Sequence, residues 1–320
     1  MPTLHLANQG SKLRLRKGRL VVTDPEGNEL GSFPARKVRR VVVHGNVGLT
    51  TPALTYLFKN AGSIHFLSLK GDYYGQAGPA NLPDPRRIER QLTLPAHEKL
   101  SLAKEILIAK TRSQIEYLRR GGTKTHLAEL ASAAKQMAKS NDIDELRGLE
   151  GIASRKYFSS IAMNLSAFAF KGRRRRPPTD PVNAALSYGY AILLSYTISA
   201  LLAAEIHPEI GVVHVTGRRR PALALDLMEE FRVAIVDAPV FRAFKRRWLG
   251  WDDVRDAGHG VLLNEKGKRK VIEALETRMA FSPTGCTRDY RSLLFKQAEL
   301  LAAAIVHGKP YRAYSLRRKY

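Results

Sequence analysis

The chain has 320 residues and a formal net charge of +24, with 53 Lys+Arg against 29 Asp+Glu, so it repels itself unless it works on a polyanion. Nucleic acid is the favoured partner and an anionic membrane surface the rival. Hydrophobic residues make up 44% of the chain, enough for a folded body of two domains; Cys286, the one cysteine, excludes an internal disulfide and a four-cysteine zinc site and fits a reducing cytoplasm.

The N-terminus has no basic flank followed by an apolar core, so no secretory signal is expected. Residues 3–6, 12–16, 19–22 and 38–44 alternate or run β-branched between turn residues and predict strands. One short helix is expected over 51–60, with Pro52 near its first turn, and His44 and His65 are assigned to packing or surface. Residues 77–85, AGPANLPDP, are rich in breakers and mark a domain boundary. The expected fold is α+β: a small sandwich-like β domain over 1–78, a hinge over 79–95, and a larger all-helical domain over 96–320.

Helices are predicted over 100–119, 124–140, 143–168, 181–205, 221–236, 240–249, 268–279 and 289–307. The segment 181–204 carries no charge and could span a bilayer by length, but Asn183, Ser187, Tyr188, Ser195 and Thr197 favour a buried core helix. In the third helix Leu146, Leu149, Ile152 and Ala153 form the expected buried stripe, with Glu150 between Gly148 and Gly151. Each glycine weakens a helix interior by about 1 kcal/mol, which close approach by a ligand or another helix would explain; a tight crossing with Glu150 incidental stands equally open. Residues 171–178, KGRRRRPP, form a loop whose Arg173, Arg174, Arg175 and Arg176, with Arg218, Arg219 and Arg220, suit phosphate or are a solvated charge run. The basic tail with three tyrosines over 309–320 either lies on nucleic acid or trails.

The densest chemistry lies in 211–232, GVVHVTGRRRPALALDLMEEFR. Pro221 suits a helix start, Leu223, Leu227 and Phe231 make a buried stripe, and Asp226, Glu229 and Glu230 stand at i, i+3 and i+4. Three carboxylates near His214 suit Mg²⁺ or Mn²⁺; alternatively Glu229 and Glu230 are a solvated face and His214 a packed or surface residue. Asp226, set between Leu225 and Leu227, tips the balance, because an acid in an apolar run needs a cation or hydrogen bonds. No phosphate-binding glycine loop, dinucleotide fingerprint or nucleophile elbow is present.

Taken in order, VVVHGNVGLTTPAL (41–54), GDYYG (71–75), LRGLEGIASRKYF (146–158), FKGRRRRPPTDPVNAALSYGYA (170–191), IGVVH with LALDLMEEFR, and the late YRSLLFKQAELLAAAI with PYRAY resemble the CRISPR-associated endonuclease and integrase of spacer acquisition, the Cas-one family. The resemblance covers nearly the whole chain. It implies Glu150, His214 and Asp226 as catalytic ligands of Mg²⁺ or Mn²⁺, with Glu229 or a water completing the shell, since Leu223 and Leu225 stand where some members carry another acid. It further implies a prokaryotic cytoplasmic enzyme that cleaves and rejoins double-stranded DNA, inserting protospacers into a CRISPR repeat by transesterification. A homodimer built through the β domains and a ferredoxin-like Cas-two partner belong to the same expectation. Lys156 and the arginine loop are candidate phosphate contacts. The alternative is a non-catalytic architectural nucleic-acid binder, and no membrane partner is expected.

Overall fold

The computed structural model describes residues 3–69, 71–79, 84–174, 177–215, 217 and 220–316. Its first part holds β1 (Thr3–Leu6), β2 (Lys12–Arg16), β3 (Arg19–Thr23), β4 (Glu29–Pro34), β5 (Arg40–His44), β6 (Gly48–Leu49), α1 (Thr51–Lys59), β7 (Ser63–Leu67) and β8 (Tyr73–Ala77). These strands form two four-stranded sheets, ordered β1-β5-β7-β8 and β4-β3-β2-β6. In the first, β1, β5 and β7 run parallel and β8 closes antiparallel.

Alternation along these strands sorts side chains onto two faces. Leu4, Leu6, Val41, Val43 and Ile64 join Leu13, Leu20 and Val22 of the second sheet, with Ala53 and Leu57 of α1, in a local core. Val42 and Leu67 point the other way, into the core of the helical part. The first sheet is thus covered on both faces, which is why RVVVH is buried at every position.

The second part comprises α2 (Pro85–Leu92), α3 (Ala96–Arg120), α4 (Leu127–Lys139), α5 (Ile143–Ala162), α6 (Pro181–Ala203), α7 (Ala222–Phe231), α8 (Ala238–Lys245), β9 (Val254–Asp256), β10 (Val261–Leu263), α9 (Glu265–Met279) and α10 (Tyr290–His307). Two expectations need correction. This part is not all helix, because β9 and β10 pair as an antiparallel hairpin; strands of three residues are too short to leave a periodic signal. The expected hinge over 79–95 contains α2, whose Asp84 cap accepts from Arg86 N at 2.9 Å. Gln91 fastens α2 beyond the end of α6, with bonds of 3.1 and 2.8 Å to the backbone of His207, so this stretch is docked rather than free. Residues 80–83, inside the expected boundary, lie outside the described residues.

Around α6 the rest is wrapped. The helix is long and apolar enough to cross a membrane by composition, yet most of it is buried inside the protein. The first sheet docks on it through polar groups: Tyr188 OH lies 2.6 Å from His44 Nδ1, Ser199 Oγ 2.7 Å from His65 Nε2, and the Arg40 guanidinium 3.7 Å over the Tyr196 ring. His44 and His65 are therefore interior packing residues, and burial holds both imidazoles well below their ordinary pKa. After α7 the helix widens into a π-helical stretch, Arg232–Asp237. Pro239 follows at once; it has no N–H to give and its ring crowds the carbonyl of Ile235, which the wider turn relieves.

Candidate metal centre and nucleic-acid cleft

Three helices meet where the chemistry collects. Lys110 of α3 is buried, and its ammonium contacts Oε1 of Glu150 on α5 and lies 2.6 Å from Oε2 of Glu229 on α7. Arg232 Nε reaches the same Glu229 oxygen at 2.9 Å from the first residue of the π stretch. Ser154, one turn beyond Glu150, donates to it at 2.6 Å. Burial works against the charge on Glu229, but Arg232 and Lys110 outweigh it and hold the carboxyl at about 2. Glu150 is likewise held below its ordinary value, Lys110 overcoming the cost of burial.

The segment before α7 delivers His214 to this point. Its backbone wraps the buried Asp226: Val212 N donates to Oδ2 at 2.7 Å, Val213 N to Oδ2 at 3.0 Å and His214 N to Oδ1 at 2.9 Å. His214 Nδ1 lies 2.6 Å from Oδ1, so the proton on that ring is assigned to Nδ1, and Nε2 is left facing Glu229 Oε1 at 4.0 Å. Gly211 makes the wrap possible, since a Cβ there would stand 2.6 Å from His214 O and 2.7 Å from Ala222 Cβ. Arg147, one turn before Glu150, donates through Nε to Val213 O at 2.7 Å. One face of α5 thus carries a carboxylate and also fixes the loop that brings the imidazole.

The alternative of a solvated acidic face is excluded, because Asp226, Glu229 and Glu230 are all buried. Hydrogen bonds compensate Asp226, and cations compensate Glu229. Asp226 lies behind His214, with both oxygens engaged by backbone and ring, whereas Glu229 shares Lys110 with Glu150. Among the described residues no three His, Cys, Asp or Glu side chains are gathered tightly enough to hold an ion as they stand; the Lys110 ammonium sits between two of the carboxylates. In donor type the set fits a hard divalent ion, with two carboxylates and one imidazole nitrogen.

A cleft of about 600 Å³ opens from Lys110 and Glu150. Its walls include Arg155, Lys171, Arg173, Arg174, Tyr190 and Arg232, so cationic groups lead to an acidic floor. Arg155, not Lys156, faces it: successive helical residues point about 100° apart, and Lys156 turns its charge toward Glu129 of α4 instead. Arg173 is committed to α6, donating to Asn183 Oδ1 at 2.8 Å and Ser187 Oγ at 3.0 Å. Asn183 also accepts from Arg174 N at 2.8 Å and donates to Gly172 O at 2.8 Å, pinning the loop. Arg220 is exposed just before α7, while Arg175, Arg176, Arg218 and Arg219 lie outside the described residues.

Gly148 has nothing within 4 Å of an added Cβ, and at Gly151 only the Arg155 side chain comes that near, at 3.9 Å. No helix crosses them, and Ile152 of the expected stripe is exposed. Lys110 and Arg147 escaped the reading because nothing local marks them; Lys110 occupied an apolar-stripe position, where a lysine without an obvious partner was itself the clue.

A family model described as CRISPR associated protein Cas1 matches residues 4–277. The chain belongs to the Cas1 family. It is 42% identical over 322 residues to CRISPR-associated endonuclease Cas1 1 of Thermus thermophilus, covering 99% of this chain and 100% of the relative. A second Thermus thermophilus relative, CRISPR-associated endonuclease Cas1 3, is 32% identical over 98% of this chain and 95% of its own length. In fold the chain is similar to a Cas1 protein from Thermotoga maritima, with a TM-score of 0.86, 24% identity and coverage of 99% and 100%. A casposase bound to integration product gives the same TM-score of 0.86 at 20% identity, covering 100% of this chain and 94% of that one.

Proposed function

We propose that this Cas1 protein is a divalent-metal-dependent DNA endonuclease and integrase that joins the 3′ end of a protospacer to a CRISPR repeat by exchanging phosphodiester bonds. The observation that carries the reading is the meeting of Glu150, Glu229 and the Nε2 side of His214 beside a basic cleft, in a chain whose relatives are named endonucleases. In this reading Glu150, His214 and Glu229 hold Mg²⁺ or Mn²⁺, and Asp226 orients the imidazole from behind instead of joining the ligands. A bound ion of this kind polarises a phosphodiester and stabilises the charge that builds as a 3′-hydroxyl or water attacks in line.

The chain's own residues do the rest. Arg155, Lys171 and Arg174 at the cleft walls draw phosphates inward, and the bare Gly148 and Gly151 surface lets a sugar-phosphate backbone approach α5. Arg147 and Asp226 keep the imidazole from swinging away. A homodimer and a Cas2 partner belong to the same proposal; the support for Cas2 is the fold likeness to the Cas1 part of a Cas6-RT-Cas1–Cas2 complex, at a TM-score of 0.85. An architectural binder has no use for buried carboxylates beneath a phosphate cleft. Glu150→Gln decides between them: DNA binding by electrophoretic shift is expected to persist, while Mn²⁺-dependent strand transfer falls by about 10²-fold or more. Undiminished strand transfer would sink the enzymatic reading of this centre.

A further inference from the structure

The position of Lys110 points to a role beyond phosphate attraction, resting on the metal-centre reading above. Its ammonium touches one oxygen of Glu150 and one of Glu229, the two carboxylates that a divalent ion would share. A buried lysine is costly, and here the two glutamates overcome that cost and raise its affinity for its proton. Remove the ammonium, and the two acids face each other with only Arg232 nearby as a cation. Keep it, and a divalent ion entering between the same oxygens meets a positive charge already in its seat. Lys110 also lines the open cleft, so the displaced side chain has a route toward solvent or a DNA phosphate without unfolding α3.

We propose that Lys110 is the resident counter-cation of the metal-free centre, holding Glu150 and Glu229 together until a divalent ion competes for the same two carboxylates. The lysine keeps its proton throughout, and the exchange is one of position. It stabilises the empty centre and weakens ion binding until DNA gives the released ammonium a new partner.

The test compares full-length wild type with Lys110→Met, without DNA, by Mn²⁺ titration calorimetry and by thermal unfolding in chelator and in saturating Mn²⁺. Lys110→Met is expected to melt below wild type in chelator, to recover most of that difference in Mn²⁺, and to bind the ion about tenfold more tightly or better. Unchanged or weaker Mn²⁺ binding overturns the proposal, because a lysine serving only packing or phosphate would not obstruct the ion. Should Lys110→Met fail to fold in chelator, refolding in Mn²⁺ replaces the melt: recovery supports the proposal, and failure in both conditions overturns it. Glu150→Gln and Glu229→Gln separate this from the underlying reading. If wild-type Mn²⁺ binding survives both changes, the metal centre itself is lost; if they abolish it while Lys110→Met keeps wild-type affinity, only the role of Lys110 falls.

Discussion

Glu229 and Glu230 are adjacent on α7 and equally hidden from water, yet the two sides of the helix treat them in opposite ways. On the cleft side Glu229 faces Lys110 and Arg232, which overcome burial and hold it ionised down to about 2. On the far side Glu230 meets only neutral donors: Tyr311 OH, Gln297 Nε2 at 2.9 Å and the backbone N of Tyr314 at 2.6 Å. Burial there wins over those hydrogen bonds and pushes the carboxyl up to about 7. The lesson is that depth alone does not decide the state of an acid; the formal charge of its neighbours does. One side is built to face cations, the other to clamp the C-terminal segment, where Tyr314 stacks on Phe231 with centroids 4.9 Å apart.

The sharpest way to break this contrast is to neutralise each acid in turn. Glu229→Gln is expected to lower Mn²⁺-dependent strand transfer by about 10³-fold, while Glu230→Gln leaves it within a few-fold, read by gel assay of labelled strands. Equal losses would show that the two sides work as one unit. Next in size is Glu230→Ala, which strips the clamp and leaves Gln297 and Tyr311 seeking partners; a loss of about 2–4 kcal/mol in urea unfolding is expected.

Stability against pH sharpens the comparison further. The folded-state pKa of Glu230 is raised, so its contribution is full below about 4.5, the ordinary glutamate value, and is lost as pH climbs through about 7, by up to about 3 kcal/mol. The pKa of Glu229 is depressed, so its contribution is present above about 4.5 and is lost as pH falls toward about 2. Glu230→Gln should therefore flatten the unfolding free energy between pH of about 5 and about 7, and an unchanged slope there would refute the assignment. The smallest effect belongs to the cleft rim: Arg155→Ala should reduce the slope of log affinity against log salt by about 1 in fluorescence titrations with DNA.

Much of this was legible in the chain. The breaks and periods placed most helices within a few residues, and the buried stripe Leu223, Leu227 and Phe231 lies where the spacing put it. The acidic cluster and His214 also stood out, because carboxylates inside an apolar run are costly without compensation. What compensates them was not legible. Arg147 reaches Val213 across 66 positions and Lys110 reaches Glu150 across 40, and pairings at such distances leave no local mark. The division of labour between Asp226 and Glu229 was hidden for the same reason: it depends on the backbone wrap that Gly211 permits, which no composition or period encodes. Lys156 and Arg155 differ only by helical phase, and the reading chose the wrong neighbour. The tail, left open between nucleic acid and solvent, is packed by Tyr311 and Tyr314 against the catalytic helix.

The widened stretch at Arg232–Asp237 has a consequence for how this chain tolerates change in length. A π turn holds an extra residue relative to an ordinary one, so excising a single position there would re-tighten the coil and rotate everything downstream by about 100°. Phe241 and Phe244, now inward, would swing toward water, while Arg242 would be driven into the interior. One-residue deletions should thus be far more damaging at this spot than in the exposed stretches between helices.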